Sequence, residues 1–261
     1  MPRSLLPGWL VFALAGVLVA CSTSGGPTSN IKQESAASER KEAARVHTEL
    51  GQKYMQQGKL EIALDNLNKA LSYDPNYADA NTVIAVLYER IGDVKQAETY
   101  YRKAAQLKPK GGSELNNYGT FLCKVGRYDE AQGYFDRAIA DPFYKTPEVA
   151  LVNSGSCLLK AGKLDAADKR LRAALDHAPN DGEALFQLAS VLYEKGDYFK
   201  ARAFMQRFEA VGTARPESLM LGRNIELRLG NASAASDYTR RLLQSFPESQ
   251  QARSLNAQNQ S

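Results

Sequence analysis

Residues 50–75, LGQKYMQQGKLEIALDNLNKALSYDP, carry the pattern that decides the fold. Gly51, Ala63 and Ala70 are small, whereas Leu50, Tyr54 and Leu67 are large and apolar. Small residues at these places let two helices cross closely; larger side chains would push them apart. Gly58 ends the first helix, because a left-handed residue is least strained without a Cβ. Pro75 stops the second, because it has no N–H for the helix ladder. The stretch therefore predicts one helix–turn–helix pair, and that pair recurs. Gly58, Gly92, Gly126, Gly162, Gly196 and Gly230 are spaced by 34, 34, 36, 34 and 34 residues. Ala63, Ala97, Ala131, Ala167, Ala201 and Ala235 each follow a glycine by five residues. Pro75, Pro109, Pro142, Pro179 and Pro247 close most of the units.

This period and these residues resemble the tetratricopeptide (TPR) repeat. The resemblance implies an all-α solenoid of six helix–turn–helix repeats, over residues 39–249, wound into a right-handed superhelix with a concave inner face. The last two units are degenerate: Phe208 and Leu242 replace the small alanine of the second helix, and Arg223 falls where the first-helix glycine is expected. Terminal solenoid units are commonly atypical, since one face lacks a neighbour.

Outward from the repeats, the N-terminus has its own logic. Arg3 precedes a dozen mostly apolar residues, Trp9 to Ala20, too few for a membrane-spanning helix, which needs ~20. The pattern predicts a signal peptide over residues 1–20. Leu18-Val19-Ala20-Cys21 resembles the bacterial lipobox, which implies N-acyl and S-diacylglycerol lipid on Cys21; the alternative is a plain cleavage site beside an incidental cysteine. Ser22 after the cysteine, by resemblance to enteric sorting rules, implies the periplasmic face of the outer membrane. Residues 21–38, rich in Ser and Gly, are expected to form the lipidated cysteine and a flexible tether. The polar residues 250–261 are expected to be a disordered tail.

Charges nearly balance, 33 Lys and Arg against 29 Asp and Glu, for a net +4. No basic block occurs, so neither nucleic acid nor an anionic membrane surface is expected as a partner. His47 and His177 lie in different units without other ligands at metal spacing, and both are expected on helix surfaces. Ser29-Asn30-Ile31-Lys32 matches S-x-x-K but falls in the tether, where nothing would position a nucleophile. No enzyme, metal, cofactor or small-molecule substrate is expected. Recognition remains.

In TPR arrays the first helix of each unit lines the groove. The first units offer Thr48, Gln52, Asp79 and Val83, which lack the lysines, arginine and asparagines of a peptide-carboxylate clamp. The middle units offer Asn116, Asn117, Thr120, Val149, Val152 and Asn153. Ser156, Leu159, Phe186, Ser190 and Tyr193 continue the series. Asn117 and Asn153 share the sixth position, where an amide can bond a ligand backbone or a neighbouring repeat. Phe186 and Tyr193, two turns apart on one helix, form an apolar patch with Val152 and Leu159, or else pack between units.

Cys123 and Cys157 are 34 residues apart, while the glycines around them are 36 apart. On equivalent helices they are thus staggered by two positions, about 200° of helix rotation, which turns them toward each other. Helices 8–10 Å apart then allow a disulfide. Such a bond is expected in an exported chain, against the alternative of two buried thiols.

The junction of units three and four is more distinctive. Asn116-Asn117-Tyr118-Gly119, Phe121-Leu122-Cys123, Asp141-Pro142-Phe143-Tyr144, Pro147-Glu148 and Asn153 to Cys157 resemble the type IV pilus biogenesis and stability lipoproteins of the PilF/PilW type. That resemblance implies a pilotin role: an outer-membrane lipoprotein that binds the type IV pilus secretin and promotes its localisation and multimerisation. The alternatives are a TPR lipoprotein of the barrel assembly machinery and a periplasmic adaptor of a peptidoglycan enzyme.

Overall fold

The computed structural model describes residues 27–258, with side chains over residues 34–257. The signal peptide, the lipobox and Cys21 lie outside the described residues. Two compact units divide the chain, residues 1–40 and 41–261, and the repeats lie in the second.

The described residues form helices only. Six antiparallel pairs follow one another: α1 (Pro27–Gln56) with α2 (Leu60–Tyr73), α3 (Ala78–Arg90) with α4 (Val94–Leu107), and α5 (Gly112–Lys124) with α6 (Tyr128–Ile139). Then come α7 (Pro147–Lys160) with α8 (Leu164–His177), α9 (Gly182–Glu194) with α10 (Tyr198–Val211), and α11 (Pro216–Arg228) with α12 (Ala232–Ser245). The six periodic glycines all have positive φ, between 72° and 83°, so each turn uses the left-handed conformation that glycine adopts without strain. The second-helix alanines Ala63, Ala97, Ala131, Ala167, Ala201 and Ala235 are all buried.

Close helix crossing explains the first-helix glycines. A Cβ on Gly51 would lie 2.6 Å from Leu67 Cγ, and one on Gly155 would lie 2.6 Å from Leu171 Cγ. In the sixth unit this role moves by one residue. Gly222, not position 223, faces the partner ring, where a Cβ would sit 2.5 Å from Tyr238 Cε1. Arg223 instead donates from Nε to Thr239 Oγ1 at 3.2 Å.

The backbones of first helices approach those of the next unit's first helices from α3 to α11, whereas successive second helices stand further apart and meet through long side chains, as Arg241 meets Glu209 at 2.9 Å. The first helices are therefore the crowded inner wall and the second helices the splayed outer one. This is the TPR solenoid.

Two expectations at the ends are corrected. Residues 27–38, read as coil, belong to α1. Pro27 suits the first helical position, and the Glu, Lys, Ala and Gln that follow are good helix formers. Residues 250–258 are also helical: α13 (Gln250–Gln258) buries Ala252 and Leu255, three residues apart, with Leu219 and Leu242. Ser249 Oγ caps it by accepting from Ala252 N at 3.1 Å. Two apolar residues at helical spacing sufficed to close the end of the solenoid. Among the described residues no helix is long and apolar enough to cross a membrane.

Candidate functional site

Hollows line the inner wall in the first three units. A hollow of about 360 Å³ lies among α1, α3 and α5, lined by Thr48, Gln52, Tyr77, Asp79, Thr82, Val83, Glu114 and Asn117, with others. A second of about 400 Å³ shares Gln52, Thr82, Val83 and Asn117 with it and extends to Met55, Val86 and Arg90. In the other direction a hollow of about 490 Å³ shares Asp79, Ser113 and Glu114 and reaches Phe143 and Tyr144 in the α6–α7 loop. These hollows form a continuous track from the inner wall over its rim.

An ion bridge stands where the track crosses the rim. Lys108 Nζ lies 2.7 Å from Asp79 Oδ1 and 2.6 Å from Glu114 Oε1. Glu114 is buried, with 8% of its side chain exposed. Burial favours the neutral amine of Lys108, but the bonds to Asp79 and Glu114 outweigh it and hold its pKa above the usual lysine value. Tyr77 is pushed up by burial and by Asp79 beside it. Gly111 and Gly112 make room for this arrangement. A Cβ on Gly111 would lie 2.5 Å from Glu114 Oε2, and one on Gly112 would lie 2.4 Å from Tyr144 Cγ.

The residues expected to line the groove separate into two groups. Asn117 is half-buried and lines both inner hollows, and among the described residues no hydrogen bond engages its amide. Its counterpart Asn153 is committed: Nδ2 donates to Asn116 Oδ1 at 3.0 Å, across units three and four. Asn116 is itself buried, and Thr120 Oγ1 bonds its carbonyl. Val152 is buried, Leu159 packs half-buried on the same core cluster, and Val149 is exposed. Ser156 is half-buried, and Ser190 Oγ donates to the Phe186 carbonyl one turn back.

Phe186 and Tyr193 pack against α10, the second helix of their own unit, rather than in an open patch with Asn117 and Asn153 alongside. The Phe186 ring lies 5.7 Å from that of Phe208, and the Arg215 guanidinium covers it at 4.3 Å. Tyr193 packs 5.5 Å from Tyr198. Phe208, the large residue at the small-alanine position, is what draws Phe186 inward. Of the histidines, His177 is exposed, and His47 is half-buried, stacked on Tyr73 at 5.6 Å.

Cys123 and Cys157 are joined by a disulfide, with Cα atoms 5.7 Å apart. Beside it Ser154 Oγ donates to Gln132 Oε1 at 2.5 Å. The third and fourth units are therefore locked where the repeat spacing lengthens. Sequence reasoning missed Lys108, Gly111, Gly112 and Glu114, and met Asp141 only as part of the junction motif. The one available signal was the Gly111-Gly112 pair, which no other unit has at that place.

Family models described as tetratricopeptide repeat match residues 51–92, 78–110, 122–167 and 158–221. The type IV pilus assembly protein PilF of Pseudomonas aeruginosa is 32% identical over 240 residues, 92% of this chain and 94% of that protein. This chain belongs to the PilF/PilW family. The crystal structure of PilW, described as a widely conserved type IV pilus biogenesis factor, superposes with a TM-score of 0.77 at 32% identity, covering 81% of this chain and 97% of that one. The structure of Pseudomonas aeruginosa PilF gives 0.74 at 30% identity, covering 84% and 99%. An uncharacterised Haemophilus influenzae protein is 32% identical over 141 residues, 54% of this chain and 79% of that protein. As a PilF/PilW member the chain is a TPR protein of type IV pilus biogenesis, and its fold is that of a protein-binding scaffold. Among the described residues no three His, Cys, Asp or Glu side chains converge as a metal site requires.

Proposed function

We propose that this protein is a pilotin: it is lipidated on Cys21, held on the periplasmic face of the outer membrane, and binds the type IV pilus secretin to promote its localisation and multimerisation. The observation that carries the reading is the continuous concave track in a chain similar to PilF over nearly its whole length. A secretin subunit crosses the periplasm before it assembles, so a membrane-held receptor raises its concentration where the ring forms. Three acyl chains hold such a receptor far more firmly than a single one, each buried methylene adding ~0.8 kcal/mol. The Asn117 amide, free and facing both inner hollows, can donate to and accept from the backbone of an extended segment.

The test is photo-crosslinking in cells from a reactive residue at position 117, combined with Cys21→Ser. The expected main adduct is the secretin, and the Cys21→Ser chain leaves the outer-membrane fraction. A barrel-assembly subunit or a cell-wall hydrolase as the main adduct refutes the reading.

A further inference from the structure

The track does not end at the rim. The hollow that crosses it shares Asp141 and Phe143 with a fourth, of about 730 Å³, lined by Pro109, Lys110, Arg137, Ala140 and Pro142 as well. Phe143 is the wall between the two and is 88% exposed. Isolated exposed apolar residues are common, but the backbone under this one is held in place. Asp141 Oδ1 accepts from Phe143 N at 2.9 Å, and Oδ2 accepts from Gly112 N, the start of α5, also at 2.9 Å. Tyr144 N donates to the Asp141 carbonyl at 3.2 Å, and the Tyr144 ring fills the space that Gly112 leaves open. The loop that carries the two extra residues of the 36-residue spacing thus holds its backbone in place and presents a phenyl ring to solvent.

In the fourth hollow two cations, Lys110 and Arg137, stand beside one carboxylate, Asp141. Asp141 directs both carboxylate oxygens to backbone N–H groups. Lys110 and Lys145 have no ion pair among the described residues. Arg137 donates to the Pro109 carbonyl at 2.8 Å and stacks on Tyr134 at 5.3 Å, which orients its guanidinium without neutralising it. A concave apolar surface rimmed by cations fits a side chain entering a hollow better than it fits a flat bilayer.

We infer that Phe143 and the hollow beside it are a second anchor for the partner of the concave track: a protein segment that places an apolar side chain against Phe143 and carboxylates against Lys110, Arg137 and Lys145. This rests on the reading that the secretin is that partner, so the segment is an acidic–apolar stretch of the secretin. Pre-ordering by Asp141 removes the entropy loss that a mobile loop would suffer on binding. Exposed aromatics seated in such contacts commonly dominate an interface.

The experiment titrates the purified full chain, in detergent, with purified secretin subunit, for wild type, Phe143→Asp, and Lys110→Glu with Lys145→Glu. All three positions are exposed, and an unchanged melting midpoint verifies folding. Each variant is expected to bind about tenfold more weakly or worse, the lysine pair with a flattened salt dependence. Wild type binding with Phe143→Asp unchanged overturns this inference and leaves the pilotin reading standing. Wild type failing to bind the secretin overturns that reading itself. In parallel, p-benzoyl-phenylalanine at position 143 is expected to crosslink to a carboxylate-rich secretin segment, and crosslinking to lipid instead overturns the inference.

Discussion

Reducing the Cys123–Cys157 bond leaves the folded chain's other ties in place and frees a 34-residue loop in the unfolded chain. The Asn153–Asn116 bond and the Ser154–Gln132 bond still join units three and four, so far-ultraviolet circular dichroism should not change at 25 °C. The effect falls on the unfolded state, where closing a loop of 34 residues is worth about 3.8 kcal/mol on the chain-entropy account. For a domain of this size that corresponds to roughly 8–15 °C in melting midpoint if the solenoid melts cooperatively. Solenoids are coupled between neighbours, so the loss should concentrate at the interface of units three and four. Melting the same chain with and without reductant measures it, with thiol alkylation verifying complete reduction. The Cys123→Ala, Cys157→Ala chain should melt near the reduced value and ignore reductant. An unchanged midpoint after verified reduction refutes the reasoning.

At the eleventh position of the first helix, units three to five bury Leu122, Leu158 and Leu192, but unit six buries Glu226, whose Oε2 has no hydrogen-bond partner and lies 3.8 Å from Arg202 Nη1. Glu226→Leu should stabilise the chain by about 1–3 kcal/mol, and a lower urea midpoint would contradict this. Phe186→Ala empties the space under Arg215 beside Phe208, so it should cost about 2 kcal/mol of stability while partner capture persists; lost capture at an unchanged midpoint would return Phe186 to the binding face. The hydrogen bond from Arg127 holds the Glu98 carboxyl below its ordinary value of 4.5, against burial and with help from Arg102. A depressed carboxylate pKa contributes stability above the unfolded value and loses it as pH falls through the folded one. The melting midpoint should therefore fall below pH 4.5, and Glu98→Gln should lower it at neutral pH and flatten that acid limb.

The periodic glycines and alanines determined the fold by themselves, because each reports a local need: a left-handed turn at Gly58 or a close crossing at Ala63. The cysteine pairing was also legible, since two positions of stagger on parallel helices fix which way side chains turn. Other features depended on which neighbour each residue meets. Asn117 and Asn153 occupy the same repeat position, yet only Asn153 finds Asn116 within reach, at 3.0 Å. Phe186 has a groove position by count and a packed one in fact, because Phe208 and Arg215 arrive from the following helices. The track itself is assembled by Lys108, Glu114 and Asp141 around Gly111 and Gly112, residues brought together where the second unit meets the third. A repeat fixes the backbone through short-range rules of sterics and period. The chemistry of its surface is set by contacts between units, and only the tertiary structure decides those.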